Sequence, residues 1–119
     1  MVENHIVTRE AMEFWLEAMG HVVQSVTSVQ EAMAILPEAN ADVLISDISL
    51  PDGTGWDLMH DLQLPSPLYA IAMSGLGAPE LESKSLAAGF RHHLTKPFDP
   101  DKLAAMLDEA QDERGRVKV

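Results

Sequence analysis

The stretch that decides the fold is DVLISDISLPDGTG, residues 42–55. Its run Val43–Ile45 is aliphatic on both faces, as in a strand that is covered on both sides of a sheet. The run reaches a carboxylate, Asp47, and the Pro- and Gly-rich segment 51–55 then ends the strand in a loop. A carboxylate at this position either solvates a strand end or belongs to a ligand site, because open α/β sheets bind ligands beyond the carboxyl ends of their strands. The stretch alone leaves both interpretations open.

Outward from this strand, apolar runs alternate with amphipathic segments. Strands are predicted at residues 21–26, 69–73 and 90–95, and helices at 8–19, 28–36, 58–62, 79–88 and 100–110. Thr8 is the expected N-cap of the first helix, and Pro37 is expected to end the second. The alternation predicts a doubly wound α/β fold with a parallel sheet. Only Met1 and Val2 remain for a first strand, which is therefore predicted to be short or incomplete.

Composition and charge narrow the function classes. The 119 residues suit one domain, with 46% hydrophobic residues and a formal net charge of −11. A strongly acidic chain is repelled by a phosphate backbone, so direct nucleic-acid binding is not expected. No apolar run is long enough for a membrane span, no signal peptide is visible and there is no cysteine. We therefore expect a cytoplasmic protein that binds no membrane.

Polar residues follow several of the predicted strands directly. In a parallel sheet the carboxyl ends of the strands share one edge, so we expect these side chains to lie close together. They are Glu3, Asn4, Asp47, Ser74 and Lys96. A carboxylate can accept a phosphoryl group as an acyl phosphate, given a cation and donors around the phosphoryl oxygens. The set therefore favours phosphoryl transfer to Asp47.

The ordered set resembles the response-regulator receiver family, the phosphoacceptor domains of two-component signalling that include chemotaxis regulators. The motifs are the Glu3-Asn4 pair, the Asp47 stretch, Ser74-Gly75, the AAGF run at 87–90 and Lys96-Pro97-Phe98. The resemblance implies a flavodoxin-like, five-stranded parallel sheet of order 2-1-3-4-5 with about five helices. It covers almost the whole chain, so residues 1–110 are interpreted as a receiver domain and 111–119 as a charged C-terminal tail, expected to be frayed.

The resemblance implies a phosphoacceptor and a metal site. Asp47 would take a phosphoryl group from the phosphohistidine of a sensor histidine kinase or phosphotransfer protein. Mg²⁺ would be held by Glu3, Asn4, Asp47 and the backbone carbonyl of Ser49. A receiver of this kind assists its own phosphorylation but is not an enzyme acting on external substrates.

The resemblance also implies a switch. Ser74 would move toward the phosphoryl group, Lys96 would pair with it, and the Lys96-Pro97 peptide bond would be cis. The aromatic switch position of the family falls at His93. Ser74 and His93 would then report phosphorylation to a surface that binds a downstream protein partner.

Two departures from the family pattern keep alternatives open. Asn4 replaces a carboxylate, so we expect weaker Mg²⁺ binding, and a pseudo-receiver acting as a phosphate-independent binding or dimerisation module is the alternative function. The short first strand could be completed by a partner, so a homodimer formed by strand exchange is a less favoured alternative. A flavin protein would need a hydroxyl- and Gly-rich loop after the first strand, and an aspartate phosphatase a second Asp where Ser49 stands.

Overall fold

The core of the molecule is a parallel sheet with helices on both faces. The computed structural model describes residues 1–62, 68–75, 79–96, 99–114 and 119. In chain order the elements are α1 (Ile6–Ala18), α2 (Val29–Ala39), β1 (Val43–Asp47), β2 (Ser49–Leu50), β3 (Gly53–Thr54), α3 (Gly55–Asp61), β4 (Tyr69–Ser74), α4 (Pro79–Ala87), β5 (His92–Thr95) and α5 (Pro100–Arg114). Strands β1, β4 and β5 pair in parallel in that spatial order, and β2 and β3 form a small antiparallel hairpin.

The first strand is reduced to a single bridging residue. Val2 forms parallel bridges with Val26 on one side and Ser46 on the other. Its N–H donates to the Ile45 carbonyl at 2.7 Å, and its carbonyl accepts from the Asp47 N–H at 3.0 Å. The spatial order is therefore Val26, Val2, β1, β4, β5, so the predicted order 2-1-3-4-5 is partly visible, with three regular strands instead of five. The predicted short first strand is confirmed.

The predicted second strand is largely wrong. Of residues 21–26, Val26 bridges to Val2, but no continuous strand forms. The outer side of this segment instead meets Val119, whose N–H donates to the Val22 carbonyl and whose carbonyl accepts from the Gln24 N–H. The valines of this segment suit a strand, but its neighbours are the short segment at residues 1–3 and Val119, so no continuous ladder extends along it.

Two apolar layers lie on opposite faces of the sheet. Ile45 and Ile71 pack with Met12 and Leu16 of α1 and with Leu103 and Leu107 of α5. The alternate residues Leu44 and Ala70 pack on the other face, with Ala32 and Leu36 of α2 and Leu58 of α3. The strand residues that read as apolar on both faces are thus buried on both faces, which confirms the doubly wound architecture.

Three predicted helix boundaries are wrong, one of them the start of α3, which lies at Gly55 rather than at residue 58. Helix α1 begins at Ile6, because the N-cap is His5, whose ring Nδ1 accepts the Thr8 N–H. Pro37 lies inside α2, which ends at Ala39 before Asn40 in the left-handed conformation. Pro37 is exposed and lies in the last turn, where the loss of one backbone hydrogen bond is tolerated.

The C-terminal part of the chain is more ordered than expected. Residues 111–114 continue α5, and Val119 is buried, so the expected fraying after about residue 111 is wrong for these residues. The division into a receiver domain over 1–110 and a tail over 111–119 stays a prediction. Within the described ranges, no helix combines the length and the apolar character that crossing a membrane requires.

Candidate functional site

Three charged side chains meet at the carboxyl edge of the sheet. Asp47 ends β1, Lys96 follows β5, and Glu3 follows the bridging residue Val2. The Lys96 ammonium lies 2.6 Å from Oδ1 of Asp47 and 2.5 Å from Oε1 of Glu3. Glu3 is fully buried and Asp47 is 5% exposed, whereas Lys96 is partly exposed. Two buried carboxylates therefore share one cation, and the cluster carries one net negative charge when all three groups are ionised.

The three groups of the cluster have pKa values that are shifted in different directions. Burial, and next the hydrogen bond with Glu3, raise the pKa of Asp47 to about 7. Burial opposes ionisation of Glu3 as well, but the hydrogen bonds with Asp47 and Lys96 hold the pKa of Glu3 below its usual value. Burial likewise disfavours charged Lys96, yet the two carboxylates keep its pKa raised. When the cluster takes up a proton near neutral pH, Asp47 carries it.

The raised pKa of Asp47 predicts how Asp47→Asn changes the free energy of unfolding. A raised pKa in the folded state means that wild-type stability is lost as pH rises from about 4, the value for an unfolded Asp, through about 7. Asn carries no charge to desolvate, so the variant should match wild type near pH 4 and exceed it by about 2 kcal/mol at pH 8. Urea unfolding at both pH values measures the difference. Asp61→Asn, at an exposed position, is the control, and equal pH profiles for Asp47→Asn and wild type would contradict the assignment.

The loop after Asp47 is folded tightly against the site. Gly55 is buried, and its N–H donates to the Ile48 carbonyl at 2.8 Å. A Cβ atom at position 55 would lie 2.5 Å from the Asp47 carbonyl oxygen. The loop is also tied to α2, because the Asp52 carboxylate accepts the N–H groups of Val29 and Gln30. These contacts fix the position of Asp47 from the loop side.

The remaining predicted metal residues lie on the rim of the same cleft. Asn4 and Ser49 are exposed and line it together with Glu3 and Asp47. Among the described residues no three His, Asp or Glu side chains gather as a metal site. A cation bound here would therefore combine the two carboxylates with amide or backbone oxygens and water. That all-oxygen donor set suits Mg²⁺, which keeps several waters, so the residues present fit this metal.

A second group of polar side chains adjoins the cleft. Ser74 lines the cleft, and its Oγ lies 2.9 Å from Nε2 of His93. Nδ1 of the same ring lies 2.9 Å from Oγ of Ser85, a fully buried residue of α4. The indole N–H of Trp56 donates to that Oγ at 2.9 Å. Ser74 and His93, the predicted switch residues, are thus in direct contact.

Some predictions on site residues have other outcomes. The adjacent His92 and His93 point to opposite sides of β5, because His92 contacts Tyr69 whereas His93 contacts Ser85. The predicted cis Lys96-Pro97 bond lies outside the described residues. Sequence reasoning missed Ser85 and named no partner for Trp56, because the two are 29 positions apart and no local pattern joins them. The signal that the sequence offers for Ser85 is its position on the weak apolar face of α4.

The comparisons agree on one family. The family model "Response regulator receiver domain" matches residues 1–108. The transcriptional regulatory protein UhpA of Salmonella typhimurium is 36% identical over 109 residues, which are 90% of this chain and 55% of that protein. The chain thus spans about half the length of that relative.

Solved structures with the same architecture include two that are more than a quarter identical. Chemotaxis response regulator CheY4 of Vibrio cholerae is 27% identical with a TM-score of 0.82, covering 92% of this chain and 93% of that one. A CheY-like receiver domain protein of Methanospirillum hungatei is 26% identical with a TM-score of 0.84, covering 94% and 90%.

The family defines the broad role. Receiver domains are signalling domains rather than classical enzymes, and they interact with histidine kinases and downstream effectors. They typically bind Mg²⁺ at the phosphorylation site. With the matched model spanning nearly all of the sequence, this chain belongs to the response regulator receiver domain family and is homologous to response regulators of two-component systems.

Proposed function

We propose that the chain accepts a phosphoryl group on Asp47 from the phosphohistidine of a sensor kinase or phosphotransfer protein, and that this switches a protein-interaction surface. The observation that carries the proposal is the buried Asp47 carboxylate at the sheet edge, with the Lys96 ammonium 2.6 Å from its Oδ1. This contact orients the Asp47 carboxylate and places the Lys96 ammonium where it can neutralise the negative charge of a transferred phosphoryl group.

The transfer follows from the positions of three side chains. Oδ1 of Asp47 is buried against Lys96, which leaves Oδ2 to attack phosphorus. The P–O bond forms as the P–N bond to the donor imidazole breaks, and the bonding electrons stay on that nitrogen, which takes up a proton. Lys96 balances the charge of one phosphoryl oxygen, and the Ser74 hydroxyl donates to another. Bound Mg²⁺ supplies charge neutralisation of the phosphoryl oxygens.

Intact mass spectrometry with acetyl phosphate and Mg²⁺ tests this function directly. Wild type should gain the mass of one phosphoryl group under conditions that preserve acyl phosphates, and Asp47→Asn should gain none. Asp61→Asn, which removes an exposed carboxylate elsewhere, should behave as wild type. Absence of a mass gain in wild type, or an equal gain in Asp47→Asn, would overturn the assignment of Asp47.

We further propose that Glu3, Asn4, Asp47 and the Ser49 carbonyl hold Mg²⁺, and that Asn4 weakens the site. A neutral amide oxygen at the rim supplies one negative charge fewer than a carboxylate would. Lys96, which contacts both carboxylates, has to give up part of this contact when a divalent cation enters. Both features lower the affinity for Mg²⁺.

Asn4→Asp should therefore bind Mg²⁺ about five- to tenfold more tightly, because one added charge near a divalent cation is worth about 1 kcal/mol or more in a partly solvated site. Isothermal titration calorimetry with MgCl₂ measures the change. Asn40→Asp adds the same charge at the exposed C-cap of α2 and should leave the affinity unchanged. An equal gain in both variants would indicate a general charge effect and remove Asn4 from the site.

We propose an exposed apolar surface on α1 as the place where the phosphodonor protein docks. Ile6, Val7 and Phe14 are more than half exposed on this helix. A groove beside them is lined by Val7 and Trp15 and reaches Lys96 at one end, so a bound partner lies next to the cleft. Phe14→Ser should slow transfer from a phosphorylated kinase and leave the rate with acetyl phosphate unchanged; equal slowing of both would remove this surface from the proposal.

The phosphate-independent alternative has no observation in its favour. The cleft keeps Asp47, Lys96 and Ser74 at one edge, and the comparisons give no support to a pseudo-receiver. The mass experiment above separates the two functions.

A further inference from the structure

Four side chains form one hydrogen-bonded row beside the cleft, and its first and last members, Ser74 and Trp56, both line the cleft. In order they are Ser74 at the end of β4, His93 on β5, Ser85 on α4 and Trp56 on α3, with 2.9 Å between each pair of partners. The row joins strands β4 and β5 of the sheet to helices α4 and α3. Lys84 of α4 also lies over the Trp56 ring at 5.3 Å, which fixes the indole from a second direction. We call these four residues the serine–histidine row.

Trp56 determines which partner donates each hydrogen bond in the row. An indole nitrogen is a hydrogen-bond donor and never an acceptor, so the Trp56 N–H donates a hydrogen bond to Ser85 Oγ. Ser85 is fully buried, and a buried hydroxyl whose hydrogen found no acceptor would be costly. His93 Nδ1 satisfies that hydrogen when it carries no proton itself. Ser85 therefore accepts from Trp56 and donates to His93.

The same logic assigns the other ring nitrogen. A neutral imidazole whose Nδ1 accepts must carry its proton on Nε2. Burial lowers the pKa of His93, which favours the neutral ring. Nε2–H then donates to Oγ of Ser74, so Ser74 acts as acceptor toward His93 and its own hydrogen is directed away from the ring.

We propose that Ser85 and Trp56 are positioning residues for phosphorylation of Asp47. They hold His93 in the Nε2–H tautomer, which donates to Ser74 and so does not compete with a phosphoryl oxygen on Asp47 for the Ser74 hydroxyl hydrogen. The opposite tautomer would accept from Ser74 and compete for that hydrogen. The proposal rests on the proposed function and extends it to two residues outside the cleft's charged cluster.

The tautomer is tested without phosphorylation. Long-range ¹H–¹⁵N spectra of the unphosphorylated protein at pH 7.5, with His93 assigned from His93→Gln, should show a protonated Nε2 and an unprotonated, hydrogen-bonded Nδ1. In Ser85→Ala the Nδ1 hydrogen bond is lost and the two tautomers should mix. Wild-type His93 protonated on Nδ1, or unchanged by Ser85→Ala, overturns the proposal.

The effect on the reaction is tested with acetyl phosphate and Mg²⁺. Ser85→Ala should accept the phosphoryl group about three- to tenfold more slowly, the size expected from one lost neutral hydrogen bond. Ser85→Thr keeps a hydroxyl and should restore most of the rate, whereas Leu86→Ala, at an exposed neighbour on α4, should have no effect. Thermal unfolding of each variant identifies any that fails to fold.

These outcomes separate a failure of the proposed function from a failure of the positioning role. If wild type is phosphorylated but Ser85→Ala reacts at the same rate, the role of the row is overturned and the proposed function stands. If wild type takes up no phosphoryl group, the proposed function falls, and the positioning role falls with it whatever the tautomer. Slower reaction in Ser85→Ala with rescue by Ser85→Thr supports both.

Discussion

Lys96→Met should destabilise the protein by about 3 kcal/mol at pH 8, because it leaves two buried carboxylates without their shared cation. Total stabilities of domains of this size are about 5–15 kcal/mol, so the loss is a large part of the whole. The side chain of Met fills a similar space, which limits the contribution of a cavity. The same variant should accept no measurable phosphoryl group, because the cation for the transferred oxygens is gone.

The dependence on pH identifies the cause. Without Lys96 the folded-state pKa values of the Glu3 and Asp47 carboxyl groups rise, so stability is retained at low pH and lost as pH increases through those values. The deficit should therefore be smaller at pH 5 than at pH 8. Adding Asp47→Asn to Lys96→Met should recover part of the lost stability at pH 8. Urea unfolding at the two pH values measures all of these changes.

Lys102→Met, at an exposed position of α5, is the matched control and should change the free energy of unfolding little. A deficit for Lys96→Met that is the same at pH 5 and pH 8 would indicate lost packing rather than unpaired charge.

Gly55→Ala should have a comparable effect for a different reason. The added Cβ would meet the carbonyl oxygen of Asp47 at 2.5 Å and Oγ of Ser46 at 3.2 Å. The closer of these atoms belongs to the backbone of the central strand and cannot move alone. We expect a loss of about 3 kcal/mol from overpacking and a phosphorylation rate at least about tenfold lower, since displacing Asp47 misaligns the attacking oxygen.

The sign of this effect distinguishes the steric explanation from helix propensity. Gly55 is the first residue of α3, and Ala is the better helix former by about 1 kcal/mol, so propensity alone predicts stabilisation. Gly75→Ala is the control, because among the described residues no heavy atom beyond the adjoining ones lies within 4 Å of the added Cβ, and Gly75 also lines the cleft. Thermal unfolding of both variants measures the difference, and a stabilised Gly55→Ala would contradict the close approach seen here.

The sequence predicts the middle of the sheet better than its edge. Strands β1 and β4 are found where apolar runs stand, because a strand covered on both faces has a strong signal. Residues 21–26, HVVQSV, are half polar and pair with residues 1–3 and with Val119 rather than with full strands, and this pairing decides their conformation. Composition does not contain that information.

Local capping signals have the same limit. The sequence offers two capping boxes for α2, Thr27 with Gln30 and Ser28 with Glu31, and the structure has Ser28 as the N-cap. His5 caps α1 although histidine is not a usual N-cap, and Thr8, the conventional choice, supplies the N–H that His5 accepts. Thr8, the residue predicted as the N-cap, therefore lies in the first turn of α1 but donates the capping hydrogen bond instead of accepting it.

The charged site was predictable in its members but not in its geometry. Strand-end positions place Asp47, Ser74 and Lys96 at one edge, and the structure has them there. That Glu3 is fully buried and shares the Lys96 ammonium depends on how Val2 enters the sheet. The link from His93 to Trp56 depends on the packing of α3 against α4, for which the chain offers no periodic signal.

The way Val2 enters the sheet has a consequence for the time course of synthesis. Val2 is held by residues 26 and 46, and Glu3 meets Lys96, 93 positions further along the chain. At roughly 5–20 residues per second, a ribosome needs about 5–20 s to make that interval. During this time the Glu3 carboxylate lacks its cationic partner, and closure of so long a loop comes late in folding. The ability to receive a phosphoryl group is therefore acquired in one step, when the last strand brings Lys96 to residues that the ribosome released long before.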